Sequence, residues 1–322
     1  MSRHESLSRR SFLRGAAAGG ALLGLGSGFS LRGSLALGAE VTGKPKPGKI
    51  GDFKISLAEW SLHKALFAKK LDNLDFPKVA REEFGIEGVE YVNQFFKDKA
   101  HDSAYLKDLK KRADDHGVTN VLIMIDGEGD LSAPEKAARG QAVENHKKWV
   151  DAAAALGCHA IRVNTGSHYS KSDVANAAEA CSALADYGVK HKIHVICENH
   201  GGPSSDPDAL LALIKAVNNP SFGTLPDFGN FPKADGKYAI DVYDAIARMM
   251  PHAHGVSAKS YDFNDKGEES NLDFARIMKI VTDAGYHGFV GIEYEGGGLG
   301  EAEGIKATKK LLESLRGSEY RG

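Results

Sequence analysis

The chain has 322 residues, a formal net charge of −2, ordinary apolar and aromatic fractions and, after residue 40, no apolar run long enough to span a bilayer, which describes a globular body rather than a membrane-embedded one. Acidic and basic residues are interspersed, with no basic stripe of the kind that displaces counterions from a duplex, so the composition speaks against nucleic acid as a partner.

The first element is a targeting segment. Ser8-Arg9-Arg10-Ser11-Phe12-Leu13 precedes a weakly apolar stretch from Ala16 to Leu25, followed by Arg32 and small residues around Ser34, Ala36, Gly38 and Ala39. Paired arginines before Phe-Leu and a Gly-rich core match a twin-arginine signal rather than the general secretory one. Residues 1–39 are therefore expected to be a cleaved signal peptide, the twin-arginine translocation machinery an expected partner, and the periplasm the expected location. Gly19, Gly20, Gly24, Gly26 and Gly28 leave the core too short and too weakly apolar for an uncleaved anchor. Residues 40–52 read as a linker, in which Gly43-Lys44-Pro45-Lys46-Pro47-Gly48 opposes regular structure and predicts an exposed tether. Cys158, Cys181 and Cys197 have no paired spacing and are expected as buried small apolar residues.

From Phe53 onward, short apolar or β-branched runs alternate with longer segments of helical period, the pattern of parallel strands joined by helical crossovers. The strand-like runs are Lys54–Leu57, Gly88–Val92, Thr119–Ile125, Ala160–Asn164, His194–Glu198, Gly223–Pro226, Gly255–Lys259 and Phe289–Glu293. Helical segments between them include Ala104–His116, Pro134–Leu156, Asp173–His191, Asp208–Val217 and Leu272–Ala284, with Gly117, Gly157, Gly188 and Gly285 expected at left-handed C-terminal positions. Eight repeats in a mature chain of about 280 residues predict the α/β class and one eight-stranded parallel (β/α)8 TIM barrel over residues 53–322. An open doubly wound sheet is less consistent, because the first strand lacks a glycine-rich phosphate turn.

Several acids end otherwise apolar strands, where a carboxylate is costly unless paired or bound to a metal. Glu198-Asn199-His200 ends strand 5, Asp227-Phe228-Gly229-Asn230 ends strand 6, and Glu293-Tyr294-Glu295-Gly296 ends strand 8. Singly, each acid could cap a loop or a helix. Jointly, they would converge over one side of the barrel mouth, where such enzymes build their sites. The loops Gly201-Gly202-Pro203-Ser204-Ser205 and Gly296-Gly297-Gly298 open at the same face. Trp60, His63, Glu90, Asp126, Arg162, Asn164 and Asn230 could line that mouth and suit a polyol. His252 and His254 precede strand 7 and should fall toward the opposite face.

With these motifs in order, the chain from about Ile55 to Leu315 resembles the sugar phosphate isomerase/epimerase group of xylose isomerase-like barrels. The resemblance implies one divalent metal, Mn, Mg, Co or Zn, held by Glu198, Asp227 and Glu293. Strand 7 departs from the family pattern: Ser257 occupies the usual histidine position, while Lys259 keeps the family's lysine. Alternation puts His200 on the face of Glu198, so His200 is a candidate for the missing nitrogen ligand. Lys259 is a candidate to polarise a substrate oxygen, or else forms an ion pair with Glu293 or Glu295.

The implied activity is metal-assisted proton transfer beside the carbonyl of a carbohydrate substrate, through an ene-diolate, with Glu198 and Glu293 as base and acid. The same chemistry would serve a lyase or hydratase acting on a 3-keto-glycoside. A non-catalytic periplasmic sugar-binding barrel is the reading if the metal site is degenerate. An apurinic-site endonuclease is disfavoured, since it would require more metal ligands and a basic surface. Self-association into a homo-oligomer is compatible with all of these.

Overall fold

The computed structural model describes residues 42–322; the signal-peptide expectation for residues 1–39 lies outside them. Eight parallel strands run β1 (Lys54–Ala58), β2 (Gly88–Val92), β3 (Thr119–Ile125), β4 (Ala160–Val163), β5 (His194–Glu198), β6 (Phe222–Leu225), β7 (Val256–Ser260) and β8 (Phe289–Tyr294). They pair in the cyclic order β7-β8-β1-β2-β3-β4-β5-β6. Closure of β6 on β7 is carried by the parallel bridges Thr224 to Ala253 and Asp227 to Ser257. There Ser257 N donates to Pro226 O at 3.0 Å and Phe228 N donates to Ser257 O at 3.1 Å. The sheet is thus a barrel without free edges, the α/β eightfold architecture.

The crossovers are α1 (His63–Phe67), α2 (Phe76–Glu82), α3 (Ser103–Asp115), α4 (Lys136–Leu156), α5 (Ala175–His191), α6 (Pro207–Val217), α7 (Val242–Met249), α8 (Phe274–Asp283) and α9 (Glu301–Leu315). Aspartates cap several of them: the side chains of Asp102, Asp206, Asp241 and Asp273 each accept a backbone N–H from the first turn of the helix that follows. The main core fills the space between sheet and helices, whereas Ala58, Val92, Leu122, Met124, Ala160, Ile196 and Leu225 plug the barrel axis. Period-two alternation separates the two sets.

Cys158, Cys181 and Cys197 are free and buried. Gly117, Gly157 and Gly285 end their helices at positive φ. Gly188 does not: it is inside α5, and Lys192 takes the left-handed position instead. Its reason is close approach, since a β-carbon there would lie 2.5 Å from the Ile193 carbonyl oxygen. The proline-rich segment is exposed at Lys44, Lys46 and Pro47 but anchored at both ends. Gly43 is buried, its carbonyl accepts the Arg276 guanidinium, and Gly48–Lys49 pairs antiparallel with Glu319–Tyr320. Prolines prevented a helix there without preventing docking.

Candidate active site

Inward-facing positions of successive strands carry polar residues toward the C-terminal end of the barrel. Glu198 ends β5, Asp227 follows β6, Ser257 and Lys259 alternate on β7, and Glu293 is near the end of β8. All five are buried, between 0% and 4% exposed. One oxygen from each of Glu198, Asp227 and Glu293 lies within 4.8 Å of the others.

Each carboxylate has its own support. Glu198 Oε1 accepts from Asn230 Nδ2 at 2.9 Å. Its Oε2 is 2.9 Å from Arg162 Nε, yet the N–H is not aligned on it, and neither atom makes a hydrogen bond. Asp227 Oδ1 accepts the backbone N–H groups of Gly229 and Asn230, and Oδ2 accepts the Ser257 hydroxyl at 2.6 Å. Asn199 locks the backbone beneath by accepting from Asp227 N at 2.7 Å and donating to Asp227 O at 3.0 Å. Ser257 also reaches Glu293 Oε2 at 3.2 Å. Lys259 Nζ is 3.2 Å from Glu293 Oε1 and 2.9 Å from Glu295 Oε2, and donates to Asn230 Oδ1 at 3.0 Å. The ion pairs anticipated as one alternative for Lys259 are therefore both present.

The electrostatics follow from burial. Desolvation, reinforced by neighbouring carboxylates and opposed by Arg162 or Lys259, pushes Glu198 and Asp227 up to about 7. Burial opposes the charge on Lys259, but Glu293, Asp227, Glu198 and Glu295 outweigh it and raise its pKa above the ordinary lysine value. Arg162 behaves alike, held charged by Glu198 and Asp126 against desolvation. Burial works against the charge on Asp126, but Arg162, with hydrogen bonds from Gln94 and Asn164, holds it down at about 2. An anion-rich pocket with an oxygen lacking a donor is the chemistry a divalent cation satisfies, and this buried acidic triad is able to bind one.

The remaining expected residues divide by position. Arg162 and Asn164 meet at Asp126 Oδ1, at 2.9 and 2.7 Å. Trp60 donates its indole N–H to Glu295, which itself meets Lys259, and stacks on His63 with ring centroids 4.8 Å apart. Glu90 lies mid-strand inside the barrel rather than on the open mouth, 1% exposed. Ser56 donates to its Oε1 at 2.6 Å, and its Oε2 has no partner. Gly291 makes room for it: a β-carbon there would lie 2.5 Å from both carboxylate oxygens. His200 is exposed, outside the triad of donor atoms, because β5 ends at Glu198 and strand alternation does not extend to it. His254 stacks on His194 at the opposite barrel end. Ser56 escaped the reading of the sequence, though inward alternation on β1 would have flagged it; Asn199 stood in the Glu198-Asn199-His200 motif without a role of its own.

A cavity of about 470 Å³ adjoins the cluster between the loops after β5, β6 and β7. Larger or similar spaces, about 710 and 460 Å³, lie along α9 and at the opposite barrel end, away from the carboxylates.

The sequence profile of the xylose isomerase-like TIM barrel family matches residues 79–317. The C-glycoside deglycosidase alpha subunit of Arthrobacter globiformis is 37% identical over 71 residues, 21% of this chain and 20% of that one, so the chain spans about a fifth of that relative. Among solved structures, a 3-keto-D-glucoside 4-epimerase from E. coli superposes with a TM-score of 0.63 at 13% identity, covering 82% of this chain and 100% of the other. The D-psicose 3-epimerase of Clostridium cellulolyticum H10 superposes with a TM-score of 0.61 at 13% identity, covering 82% and 99%. At such identities these two likenesses establish the fold.

Proposed function

The chain belongs to the xylose isomerase-like TIM barrel family, and from that premise we propose that it moves a proton at the carbon beside a sugar carbonyl, interconverting isomers or epimers of a sugar or keto-sugar. The observation that carries this reading is the convergence of Glu198, Asp227 and Glu293 in one buried pocket, where Glu198 Oε2 meets only the Arg162 charge and accepts no hydrogen bond. Those three residues would hold one divalent cation. Their all-oxygen donor set favours a hard ion such as Mg or Mn over Co or Zn. When bound, the cation supplies Lewis-acid stabilisation of negative charge on the substrate oxygens.

The protein's own groups have separable tasks. One of Glu198 and Glu293 takes the proton from carbon, leaving an ene-diolate, and the other returns a proton to the neighbouring carbon or to the opposite face. Lys259, held charged among carboxylates, faces the developing oxyanion. Arg162 keeps Glu198 and Asp126 in fixed positions. Trp60 offers a ring face and Asn230 an amide to the substrate.

A second reading, elimination or hydration beside the carbonyl of a 3-keto-glycoside, is supported by the local likeness to a C-glycoside deglycosidase subunit and by Ser257 in place of the usual histidine. Export to the periplasm through the twin-arginine route belongs to the same proposal and rests on Ser8 to Leu13. The experiment is metal analysis of the protein, then mass-resolved product detection with keto-sugars and 3-keto-glycosides. An isomerase conserves substrate mass, whereas a lyase releases the aglycone. Glu198→Gln and Glu293→Gln are each expected to lose the cation and at least about 10²-fold of turnover. A fully active, metal-free enzyme indifferent to both substitutions would sink the mechanism.

A further inference from the structure

The cavity of about 470 Å³ beside the carboxylates is walled by Gly201, Gly202, Asn230, Phe231, Lys233 and Tyr261, among others. Its volume is in the range of small-molecule sites, roughly 300–1,000 Å³. Asn230 belongs to both spaces: its amide spans Glu198 and Lys259 on one side and lines the cavity on the other. Whatever occupies the cavity is therefore one side chain away from the reacting group.

The lining chemistry is specific. Tyr261 contributes aromatic surface, with the buried Phe231 backing the wall. Among the described residues, the Tyr261 hydroxyl has no hydrogen-bond partner. Lys233 lies over the rings of Tyr238 and Tyr261, 4.7 and 4.9 Å from their centroids, and has no carboxylate partner among the described residues. Gly201 and Gly202, at φ of +83° and +55°, leave open space where side chains would stand. Aromatic faces with a phenol, an ammonium and bare backbone match a sugar ring, whose C–H face stacks while its hydroxyls take polar partners. A phosphate is a poorer match, because among the described lining residues the one cation is Lys233, resting on two rings, and there is no arginine fork.

We propose that this cavity is a second-ring subsite, which holds a sugar unit glycosidically joined to the ring at the carboxylates. The inference rests on the proposed sugar chemistry of Glu198, Asp227 and Glu293, and narrows the substrate class from a free keto-sugar to a glycoside of at least two units.

The test is binding, which requires no turnover. Saturation-transfer NMR and calorimetry with cellobiose and methyl β-D-glucopyranoside are expected to show about tenfold tighter binding of the disaccharide, equivalent to about 1.4 kcal/mol. Tyr261→Leu should abolish that preference and leave the monosaccharide unchanged. The exposed-site variant Lys233→Ala, which carries little risk to folding, should reduce it in part. Absence of a disaccharide preference, or equal weakening of both ligands by Tyr261→Leu, overturns the subsite. So does glucose 6-phosphate binding more tightly than cellobiose in a manner lost in Lys233→Ala. An enzyme that turns over keto-monosaccharides without the preference loses only the subsite. A protein that binds cellobiose selectively yet never moves a proton keeps the subsite and loses the proposed activity.

Discussion

The Ser257 hydroxyl donates to Asp227 Oδ2 at 2.6 Å, and so stands where β7 closes on the segment after β6. It also reaches Glu293, and this one small side chain ties two of the three candidate metal ligands together. Ser257→His would put a ring nitrogen beside the same carboxylates. The expected outcome is retained or tighter cation binding with preference shifted from Mg or Mn toward Co or Zn, since imidazole is the softer donor. Ser257→Ala should lose a charge-assisted hydrogen bond of about 2 kcal/mol and leave the ion preference unaltered. Metal content by mass spectrometry and thermal denaturation check both; a Ser257→His protein that no longer binds cations would show that the position is too crowded to serve.

Lys259 is expected to affect stability and activity in distinguishable ways. It pairs with Glu293 and Glu295 while 2% exposed. Lys259→Met leaves those carboxylates without their counter-ion, a loss of roughly 3–5 kcal/mol for a buried pair. That corresponds to a fall in Tm on the order of 10 °C for a domain of this size. The same change increases the negative charge around the triad, so cation affinity should hold or rise. Turnover measured well below the new Tm, with cation saturating, should still be lost; wild-type turnover under those conditions would reduce Lys259 to a structural ion pair.

The strands were legible because parallel strands covered on both faces read as apolar runs, and the acids stood out because each interrupts such a run. Depth was not legible. Glu90 carries the same signal as Glu198, yet it is mid-strand, and only the inward Ser56 and the missing side chain of Gly291 explain how the barrel accommodates it. His200 was read by strand alternation, yet β5 ends two residues earlier, so alternation does not set where it points. The contacts that hold the site, Asn199 on the Asp227 backbone and Asn230 on the Glu198 carboxylate, come from residues just past the strands, and neither periodicity nor spacing encodes them. Gly188 looked like a helix end by residue type, but its role is close packing against the turn into β5.

Export is tested outside the barrel. The address lies in Arg9 and Arg10 followed by Phe12-Leu13 and a Gly-rich core. Substituting lysine for both arginines should hold the protein in the cytoplasm at full length, whereas the parent should accumulate in the periplasm with an N-terminus between about residues 37 and 40. Cell fractionation with N-terminal sequencing reads both outcomes. Unchanged periplasmic accumulation of the double variant would remove the twin-arginine assignment.

Glu90 predicts a pH dependence of stability. Burial, with a further push from Glu293 and Glu198, raises its carboxyl from 4.5 to about 8, against the favourable bond from Ser56. Between those values the native state holds a proton that the unfolded chain has released. Its contribution is complete below about 4.5 and is lost as pH rises through about 8, by at most about 5 kcal/mol at roughly 1.4 kcal/mol per pH unit. Glu90→Gln keeps the shape, keeps an acceptor for Ser56 and removes the titration. In metal-free protein, Glu198 and Asp227 slope in the same direction in both proteins, so the difference between variant and wild type reads Glu90 together with its coupling to Glu198 and Glu293. The variant should match the wild type near pH 5 and exceed it in Tm near pH 9, with the gap opening across the interval. Parallel Tm profiles from pH 5 to 9 would mean that Glu90 is ionised in the folded barrel, and that ordered water at its free Oε2 compensates for the burial.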